Sequence, residues 1–459
     1  MIRHLVLLTA LAVGAAVRVM GLPLPGTEDV GTWKIWAYAA SKHVTRVYGV
    51  GGHPPVRGVV RWGRLETTVD YPPAAIYTLA IVGHAYRAMD PAFSDGPALT
   101  RSIKLPGLLC NVLLTFVLVR TALRHSASIK AAQWVALAYW LNPATILNGE
   151  VLGYLDPLMM LPAILAFVLL HEEPGSETTR PRTVVGVAEL AGASLALAVL
   201  TKPQAILLVP AFSMAAWHIG GGRLAGRAAV GCALAAMVLL SPFALVGALP
   251  NMWLAFGSFY ARRNILSGYA VNIWWIVNYV LRGWYLIPSL GFPKAFLVPV
   301  NRIMAISTFQ EVGFPNPRPL ATSVVVLVSG WGMWRARRAG DLAVHALVAS
   351  FTVHTFFVLG VGVHEHHMML AVPLLALAGA LRPSLRPLFY AISGIVALNM
   401  NLFYGIGLGR GWSIPRMMLG IDLGVLLSFA NVACLIWHGR VLARETRSSA
   451  LDAVIAAAR

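Results

Sequence analysis

The chain turns from apolar to polar at the stretch GTEDVGTWK, which runs from Gly26 to Lys34 and follows the first hydrophobic segment. This stretch places two acids, Glu28 and Asp29, where a membrane helix would meet water. A carboxylate at the edge of a bilayer is costly unless water, a partner or a ligand meets it. The other polar groups of the chain are therefore considered as possible neighbours of Asp29.

Composition sets the class of protein. The 459 residues are 58% hydrophobic and only 12% charged, which is too apolar for a soluble globule of this length. The chain is therefore expected to be a polytopic membrane protein. Its first apolar run, Leu5 to Met20, is followed by no small-residue cleavage site and is interrupted by Arg18. We interpret this run as a retained anchor and not as a signal peptide.

The formal net charge of +18 indicates membrane topology and not nucleic-acid binding, because Arg and Lys separate hydrophobic segments instead of forming one patch. The three cysteines, Cys110, Cys232 and Cys434, all lie in apolar segments and have no metal-like spacing. Neither a disulfide framework nor a zinc site is therefore indicated.

Twelve apolar runs are candidate membrane spans, since a crossing needs about 17 to 20 apolar residues. They predict an all-α polytopic membrane protein with one transmembrane domain over residues 1–459. The predicted spans are Leu5–Met20, Ile103–Val119, Ala131–Leu147, Pro157–Leu170, Val184–Leu200, Pro203–Ile219, Ala228–Leu249, Ala321–Trp334, Leu342–Val361, Met368–Leu381, Leu388–Tyr404 and Met417–Trp437.

Short loops rich in Arg and Lys are expected on the cytoplasmic side, and here they alternate with loops that hold few of these residues. This alternation predicts that both termini are cytoplasmic. The basic residues that define it are Arg120, Arg124, Lys130, Arg180, Arg182, Arg223, Arg227, Arg335, Arg337, Arg338, Arg382, Arg386, Arg440, Arg444 and Arg447.

The apolar segment Tyr71–Ala85 would spoil this alternation if it crossed the bilayer. We assign it to the outer face as an interfacial or re-entrant helix, because its tyrosines suit the aromatic belt at the headgroup level. A full crossing is the alternative. With this assignment the chain has two long outer segments, Gly21–Ser102 and Pro250–Leu320.

The chain has only eighteen acidic residues, and seven of them are predicted to face outward beside the ends of hydrophobic segments. These seven could be plain interfacial charges. Against that reading, they occur within short polar motifs, such as Asp70-Tyr71-Pro72-Pro73, that packing alone does not require. The seven acids are Glu28, Asp29, Glu66, Asp70, Glu150, Asp156 and Glu365.

Histidines accompany the last of these acids in the stretch His364-Glu365-His366-His367. Such a cluster could bind a divalent metal. Adjacent side chains point apart in an extended loop, however, so we favour phosphate recognition by one or two imidazoles. Lys202, at the outer end of its span, is a second candidate for a phosphate contact; snorkelling of its ammonium group to the lipid headgroups is the alternative.

Taken in order, these motifs resemble the polyprenyl-phosphate-sugar-dependent glycosyltransferases of the GT-C fold. They are most similar to the dolichyl-phosphate-glucose-dependent glucosyltransferases of lipid-linked oligosaccharide assembly. The resemblance covers most of the chain up to about residue 375. It is carried by Asp29, by Asp70-Tyr71-Pro72-Pro73 with Tyr77, by Leu141-Asn142-Pro143 with Asp156, by Thr201-Lys202-Pro203-Gln204, and by Val363-His364-Glu365-His366 before Pro373.

The resemblance implies an inverting membrane transferase that takes its sugar from a lipid phosphate at the outer or luminal face. Asp29 matches the acid regarded in that family as the catalytic base. Two departures limit the comparison. The loop from Asn148 to Asp156 lacks the histidines of the eukaryotic enzymes, and the last two spans match no part of the family pattern.

A sugar hydroxyl needs a base within hydrogen-bond reach, and Asp29 is the candidate. Cationic groups should stabilise the phosphate as it leaves, with Arg262 or Arg263 as additional candidates. Asp70 and Asp156 would hold acceptor or donor hydroxyls, or orient basic groups. A second carboxylate and a double displacement stay possible. The segment from Tyr269 to Trp275 would cover the site or form an aromatic interfacial helix. The expected substrate-binding residues are Glu28, Asp70, Tyr71, Lys104, Glu150, Asp156, Lys202, Gln204, Asn272, His364, Glu365 and His366.

The expected donor is a polyprenyl-phosphate-linked mannose or glucose, and the expected acceptor is a lipid-linked glycan or another hydroxyl of the cell envelope. No cofactor is expected, with a divalent metal as the minor alternative. Membrane lipids are partners and nucleic acid is not. The Ala, Val, Arg and Gly content suggests a bacterial plasma membrane. A transporter or flippase for a lipid-linked glycan is the main alternative, and a non-catalytic envelope subunit is another.

Overall fold

The computed structural model describes residues 2–51, 55–126, 128–172, 186–262, 264–300, 304–407 and 413–457. Arg180, Arg182 and Arg263 lie outside these ranges, and the side chain of Arg262 is also outside the description. The chain separates into two compact units, residues 1–262 with 406–408 and residues 263–405 with 409–459. The single transmembrane domain expected from the sequence stays a prediction.

Five described helical regions are long and apolar enough to cross a membrane, which makes the chain an integral membrane protein. Four shorter apolar helices accompany them. The count of twelve spans is not confirmed. The long regions are Pro97–Ser126, Pro203–Leu245, Leu342–Leu359, Pro383–Tyr404 and Leu423–Arg447, and the short helices are Leu5–Gly21, Asp156–Leu170, Val187–Thr201 and Ala371–Leu381.

The first unit is almost entirely helical and contains one antiparallel β-hairpin. Its helices are α1 Ile2–Gly21, α2 Glu28–His43, α3 Pro73–Met89, α4 Pro97–Ser126, α5 Ile129–Trp140, α6 Pro143–Ile146, α7 Asp156–Leu170, α8 Val187–Thr201, α9 Val209–Leu245 and α10 Leu249–Arg262; the strands are β1 Val59–Trp62 and β2 Leu65–Thr68. A π-helical turn, Leu147–Val151, and two 3-10 turns, Val44–Arg46 and Pro203–Leu208, connect them.

Small residues let the helices of this unit approach closely, as is common between membrane helices. A Cβ added to Gly192 on α8 would lie 1.8 Å from the carbonyl oxygen of Ala228 on α9. A Cβ on Gly83 of α3 would lie 2.2 Å from the carbonyl oxygen of Ala37 on α2. Glycine is therefore required at both contacts, and the second one holds α3 against the helix that carries Asp29.

The first long outer segment is largely regular structure. α2, the hairpin and α3 occupy most of it, and α4 begins at Pro97, five residues before the predicted end of the segment at Ser102. The apolar stretch Tyr71–Ala85 forms α3, which runs from Pro73 to Met89. Pro73 suits the first turn of a helix, because the missing amide hydrogen is not needed there.

Other predicted bounds were approximate. The two predicted spans Pro203–Ile219 and Ala228–Leu249 are divided by non-helical dihedral angles at Gly220 and Gly221, the latter with φ of 62°. The predicted span Ala131–Leu147 is interrupted after Trp140, since Asn142 and Pro143 start a new helical turn. That interruption produces the buried polar loop that leads to Asp156.

The second unit contains α11 Ile273–Leu290, α12 Ile306–Glu311, α13 Pro317–Ala336, α14 Leu342–Leu359, α15 Ala371–Leu381, α16 Arg386–Tyr404 and α17 Leu423–Ala457. A short hairpin, β3 Met417–Met418 and β4 Ile421–Asp422, leads directly into α17. The second long outer segment of the sequence analysis thus contains α11, α12 and most of α10. α14 and α15 are the most completely buried helices of the unit.

Candidate functional site

Asp29 lies in the first turn of α2, and the loop before α7 holds that turn in place. The backbone N–H of Thr27 donates to the carbonyl of Leu152 at 3.0 Å, and Gly26 adopts φ of 78° against the same residue. Glu28 is exposed and Asp29 is partly buried. The positive end of the helix dipole favours carboxylates in this turn, so Asp29 is stabilised as an anion at a partly accessible position.

The second acid motif sits where the hairpin ends and α3 begins. Asp70 is partly buried and Tyr71 is buried. The hydroxyl of Tyr48 donates to the carbonyl of Tyr71 at 2.5 Å. Burial raises the pKa of Tyr48 well above its usual value, and Tyr77 and Asp70 raise it further. Tyr48 therefore stays a protonated donor that fixes the backbone beside Asp70.

Aromatic contacts join these two acid-bearing segments. Trp33 follows Asp29 by four residues and therefore lies on the same face of α2. Its ring packs edge-on against Tyr71, with centroids 4.8 Å apart, and its Nε1 donates to the carbonyl of Gly153 at 3.2 Å. The segments that carry Asp29 and Asp70 and the loop leading to Asp156 consequently meet at Trp33.

A buried ion pair lies near the ring of Tyr71. The ammonium group of Lys202 is 2.7 Å from Oδ1 of Asp156, and both side chains are almost fully buried. Asn148 donates to the other carboxylate oxygen of Asp156 at 3.1 Å. The Lys202 ammonium lies 5.8 Å from the centroid of the Tyr71 ring, and 5.9 Å from that of Tyr154.

Helix ends explain why this pair forms. Asp156 is the first residue of α7, where a negative charge is favoured, and Lys202 directly follows α8, where a positive charge is favoured. α7 and α8 are packed together, so the beginning of one meets the end of the other. Lys202 was expected to contact phosphate or the lipid headgroups, and Asp156 to hold a hydroxyl or orient a basic group; in this structure the two side chains pair with each other.

Glu150 belongs to a separate buried network. Its carboxylate receives a hydrogen bond from Arg18 at 2.7 Å and one from Asn111 at 2.9 Å. Arg18 also donates to Thr145 and to the carbonyl of Trp140. Neither Arg18 nor Glu150 has exposed side-chain surface. This arrangement fits a structural role for Glu150, in contrast to the substrate contact expected from the sequence.

The ammonium group of Lys104 likewise donates its hydrogen bonds to the protein backbone. Its three donors reach the carbonyl oxygens of Leu24 at 2.7 Å, Glu150 at 3.1 Å and Val151 at 2.7 Å. An ammonium group has three donors, so its hydrogen-bonding capacity is used. Lys104 ties the end of the π-helical turn to the segment after α1, and this geometry does not fit the expected substrate contact.

The remaining expected residues of this unit differ in accessibility. Gln204 is partly buried in the 3-10 turn Pro203–Leu208 that follows Lys202. Glu66, one of the outward-facing acids, pairs with Arg61 across the hairpin, and both side chains are largely exposed. Asp29, Asp70, Glu28 and Gln204 are thus the members of the expected set in this unit that retain accessible surface.

In the second unit, residues 360–370 form what we term the acid–histidine loop. The carboxylate of Glu365 is buried, with His366 Nδ1 at 2.9 Å and His364 Nδ1 at 3.7 Å. Burial raises the pKa of Glu365, but His366 and His364 lower it by more, so its pKa lies well below the usual value. An ionised carboxylate only accepts hydrogen bonds, so the Nδ1–H group of His366 donates to Oε1 of Glu365.

The histidines of this loop have different surroundings. The backbone N–H of His364 donates to Nδ1 of His367 at 3.3 Å, which orients that imidazole as an acceptor. The side chain of His364 is 23% exposed, whereas that of His366 is 6% exposed. His364 is therefore the accessible imidazole of the pair that was expected to recognise phosphate.

Asn272, expected to contact a sugar, caps α11. Its Oδ1 accepts from the backbone N–H groups of Trp274 and Trp275 at 3.1 and 3.2 Å. Its Nδ2 donates to the carbonyls of Phe357 and Gly360 at 3.2 and 3.3 Å. The carboxamide is fully buried, and both its oxygen and its nitrogen are hydrogen-bonded, so a sugar contact does not fit this geometry.

Within the described ranges of the chain, no group of three or more His, Cys, Asp or Glu side chains is arranged to hold a metal ion. The expectation that no cofactor is required stays a prediction. The structure also reveals residues that sequence reasoning had not selected. Trp33 contacts Tyr71, Asn148 donates to Asp156, and Arg18 pairs with Glu150. The signal for Arg18 was its charge inside an apolar run, where a charged group needs a partner.

Comparison with solved structures identifies the fold as GT-C. The crystal structure of ArnT from Cupriavidus metallidurans bound to undecaprenyl phosphate aligns with a TM-score of 0.51 and 15% identity, covering 96% of this chain and 73% of that one. Identity at this level shows a common fold only.

Two structures of the Archaeoglobus fulgidus oligosaccharyltransferase align with TM-scores of 0.44 and 14% identity, covering 97% of this chain. One is tethered to an acceptor peptide containing an NVT sequon, and the other is in complex with an inhibitory peptide and a dolichol-phosphate. The alignments cover 55% and 56% of those chains. No protein-family model matches the sequence. No curated protein matches it either.

Proposed function

We propose that this chain transfers a hexose, mannose or glucose, from a polyprenyl-phosphate sugar to a hydroxyl of a lipid-linked glycan or another envelope acceptor. The reaction inverts the anomeric carbon and takes place at the outer face of a bacterial plasma membrane. The observation that carries the proposal is the placement of Asp29, a partly accessible carboxylate on the helix face where Trp33 packs against Tyr71 of the second acid motif.

The proposed step needs one base and no separate acid. Asp29 accepts the proton of the acceptor hydroxyl as the hydroxyl oxygen bonds to C1 of the sugar. The bond from C1 to the phosphate oxygen breaks on the opposite face, and the lipid phosphate leaves as an anion. Removing such a base lowers rates by about 100-fold or more. Asp70, also partly accessible, is assigned to a hydroxyl of donor or acceptor.

The buried pair is assigned a supporting role. Because Asp156 neutralises Lys202 and both are inaccessible, we assign to them the positioning of Tyr71 and of the loop before α7. We assign recognition of the leaving phosphate to His364 and His366 on their chemistry, with His364 the more exposed. Imidazoles that donate to an oxyanion stabilise charge as it develops in the transition state.

ArnT supports this proposal by its ligand, since its crystal structure is bound to undecaprenyl phosphate. A polyprenyl-phosphate carrier for the present chain follows by analogy, since the fold alone is shared.

Transport or flipping of a lipid-linked glycan is the second candidate. A buried pair of imidazoles favours it: Nδ1 of His354 lies 3.2 Å from Nδ1 of His438, and both residues lie within candidate membrane spans. Ionisable groups inside spans are frequent in transporters. The acids of the first unit instead lie at helix ends, which favours the transferase.

Reconstituted vesicles separate the two candidates. The purified chain is supplied with radiolabelled polyprenyl-phosphate mannose or glucose and a lipid extract of envelope membranes, and transfer of label to a second lipid is measured. A parallel sample follows protection of a fluorescent lipid-linked glycan from a membrane-impermeant quencher. Label transfer supports the transferase; lipid movement without transfer of either sugar would contradict it.

A further inference from the structure

A cavity lies between α16 and α17 in the second unit, and hydrocarbon side chains line it. Its volume is about 230 Å³. Among the lining residues, Leu398 and Leu426 are 44% and 46% exposed, so the cavity opens to the outside of the helix pair. The lining residues are Leu398, Leu402, Ile414, Leu423, Leu426, Leu427 and Ala430.

Both helices are long and apolar enough to cross a membrane, so an opening on their outer side faces lipid. An apolar groove in this position is filled by a hydrocarbon chain and not by water. About 230 Å³ is roughly eight times the share of volume of one water molecule in the liquid, which is room for a segment of one chain. The lining therefore fits a single hydrocarbon chain.

Positive charge lies at the end of this groove where α17 begins. Arg416, two residues from Ile414, donates to the carbonyl of Val300 at 2.8 Å and stacks 4.7 Å from the centroid of Phe403. Arg282 donates to the carbonyls of Val298 and Pro299. Two guanidinium groups thus converge on residues 298–300.

One carboxylate opposes them. Asp422 lies 3.7 Å from Arg416, but its oxygens accept backbone N–H groups of Val300 and Gly424 at 2.8 Å. The group therefore holds one more positive than negative charge. The side chain of Arg416 keeps 26% of its surface exposed, although its Nε atom is buried. Guanidinium groups bind phosphate oxygens well because their donors form a planar fork.

The hairpin before α17 supports a position at the membrane surface. Its tip, Leu419, is 95% exposed and has φ of 53°, and Gly420 follows with φ of 78°. Met418 and Ile421 beside it are 58% and 45% exposed. A leucine in this conformation is uncommon, and its apolar side chain gains favourable surroundings where lipid covers it. The hairpin is continuous with the span Leu423–Arg447, which places it at the bilayer edge.

We propose that the groove between α16 and α17 binds the isoprenoid chain of a polyprenyl phosphate, with its phosphate held at Arg416, as a lipid site additional to the donor phosphate contact assigned to His364 and His366. The choice of a polyprenyl phosphate over other membrane lipids rests on the proposed function. A chain that carries its phosphate directly at one end matches a single-chain groove with a cation at its end, whereas a diacyl lipid brings two chains.

Photocrosslinking tests this proposal. The chain in nanodiscs is labelled with a polyprenyl phosphate that carries a diazirine in its third isoprene unit, and labelled peptides are identified by mass spectrometry. Label is expected on α16 and α17, and excess unlabelled polyprenyl phosphate should remove it, whereas excess phosphatidylglycerol should not. Equal competition by phosphatidylglycerol, or label confined to other helices, would overturn the assignment.

Substitutions test the two ends of the groove. Leu426→Trp fills the cavity from a half-exposed position and should lower labelling by about tenfold, whereas Phe429→Trp on the same helix is outside the lining and should not. Leu398→Trp repeats the test from α16 if Leu426→Trp lowers the melting temperature. Arg416→Gln should weaken labelling by about tenfold, with the exposed Lys294→Gln as its control.

The labelling assay and the sugar-transfer assay can give negative results independently of each other. Labelling requires no sugar, no acceptor and no intact Asp29, so it is measured in the Asp29→Asn protein as well as in the wild type. Groove labelling without sugar transfer would contradict the proposed function alone. Sugar transfer with labelling that ignores Leu426→Trp and Leu398→Trp would contradict the groove alone.

Discussion

The ammonium group of Lys202 lies 2.7 Å from the carboxylate of Asp156, and neither side chain exposes more than 2% of its surface. The pair joins the beginning of α7 to the residue after α8, beside the ring of Tyr71. The pair therefore stabilises the first unit close to the segments that carry Asp29 and Asp70. Two buried charges in this arrangement depend on each other, because either one alone would lack compensation.

Removing one partner of this pair should destabilise the protein strongly. Lys202→Met leaves the buried carboxylate of Asp156 without its cationic partner, and we expect a loss of about 3–5 kcal/mol in the free energy of unfolding. Adding Asp156→Asn to Lys202→Met should recover part of that loss. Denaturant titration in detergent, followed by tryptophan fluorescence, measures both variants.

A partly exposed ion pair of the same unit provides the control. Lys34, whose side chain is 12% exposed, lies 2.6 Å from Asp95, whose side chain is 62% exposed. Lys34→Met should cost less than about 1 kcal/mol. Equal effects of Lys202→Met and Lys34→Met would mean that the buried pair does not stabilise the fold.

Glu150 should contribute more to the stability of the fold than to binding of the substrate. Glu150→Ala removes the carboxylate that pairs with Arg18 in the interior of the first unit. We expect the free energy of unfolding to fall by about 3–5 kcal/mol. The fraction that still folds should keep a normal apparent affinity for the donor. A melting curve together with a donor titration checks this. Normal stability with weakened donor binding would instead restore the substrate contact expected from the sequence.

The acid–histidine loop should lose stability in acid. The pKa of Glu365 in the folded protein lies below its usual value of 4.5, so the unfolded chain binds more protons near that pH. The contribution of Glu365 to stability is consequently complete above pH 4.5 and is lost as the pH falls towards the folded pKa. The melting temperature of the wild type should exceed that of Glu365→Gln at pH 7, and the gap should shrink below pH 4.5.

Glu66→Gln, which changes an exposed acid of the hairpin, is the matched control for this series. Its melting temperature should stay close to that of the wild type at pH 7. A constant gap between wild type and Glu365→Gln from pH 7 to pH 3.5 would show that the charge of Glu365 does not stabilise the loop.

Membrane topology is testable with single cysteines. Ser94→Cys lies in the first outer segment and should react with an impermeant maleimide added to intact cells, because its side chain is exposed. Gly340→Cys lies beside the basic residues after α13 and should react only after the membrane is permeabilised. Reaction of Ser94→Cys only after permeabilisation would reverse the orientation on which the outer-face site depends.

Hydrophobic length predicted the helices of the membrane region well, because long apolar runs have few alternatives to a helix in lipid. The run Ile103–Val119 lies inside the helix Pro97–Ser126, and the run Leu388–Tyr404 lies inside Arg386–Tyr404. The bounds of the helices were harder to predict, since polar residues extend several helices past their apolar part. In the first outer segment, the helix predicted over Tyr71–Ala85 forms α3, whereas α2 and the hairpin were missed, because α2 has no strong apolar periodicity.

The site residues show what sequence alone could and could not specify. Asp156 and Lys202 were both placed at the outer face, and Asp156 was expected to hold a hydroxyl or orient a basic group, but Lys202 was not named as its partner. Their pairing follows from two consecutive helices whose start and end meet, and the sequence contained that information. Asn272 had the form of an N-cap, an asparagine before a helix, which is a local signal. The hydrogen bonds of Lys104 to three backbone carbonyls depend on the loop path and could not be read from the chain.

The central claim is that Asp29 is the base of a sugar transfer, and adjacent acids allow a direct test. Single-turnover transfer from radiolabelled polyprenyl-phosphate hexose is measured for Asp29→Asn and for its exposed neighbour Glu28→Gln. The account predicts a loss of about 100-fold or more for Asp29→Asn and nearly unchanged transfer for Glu28→Gln, with both variants inserted and folded like the wild type. Unchanged transfer by Asp29→Asn would contradict it.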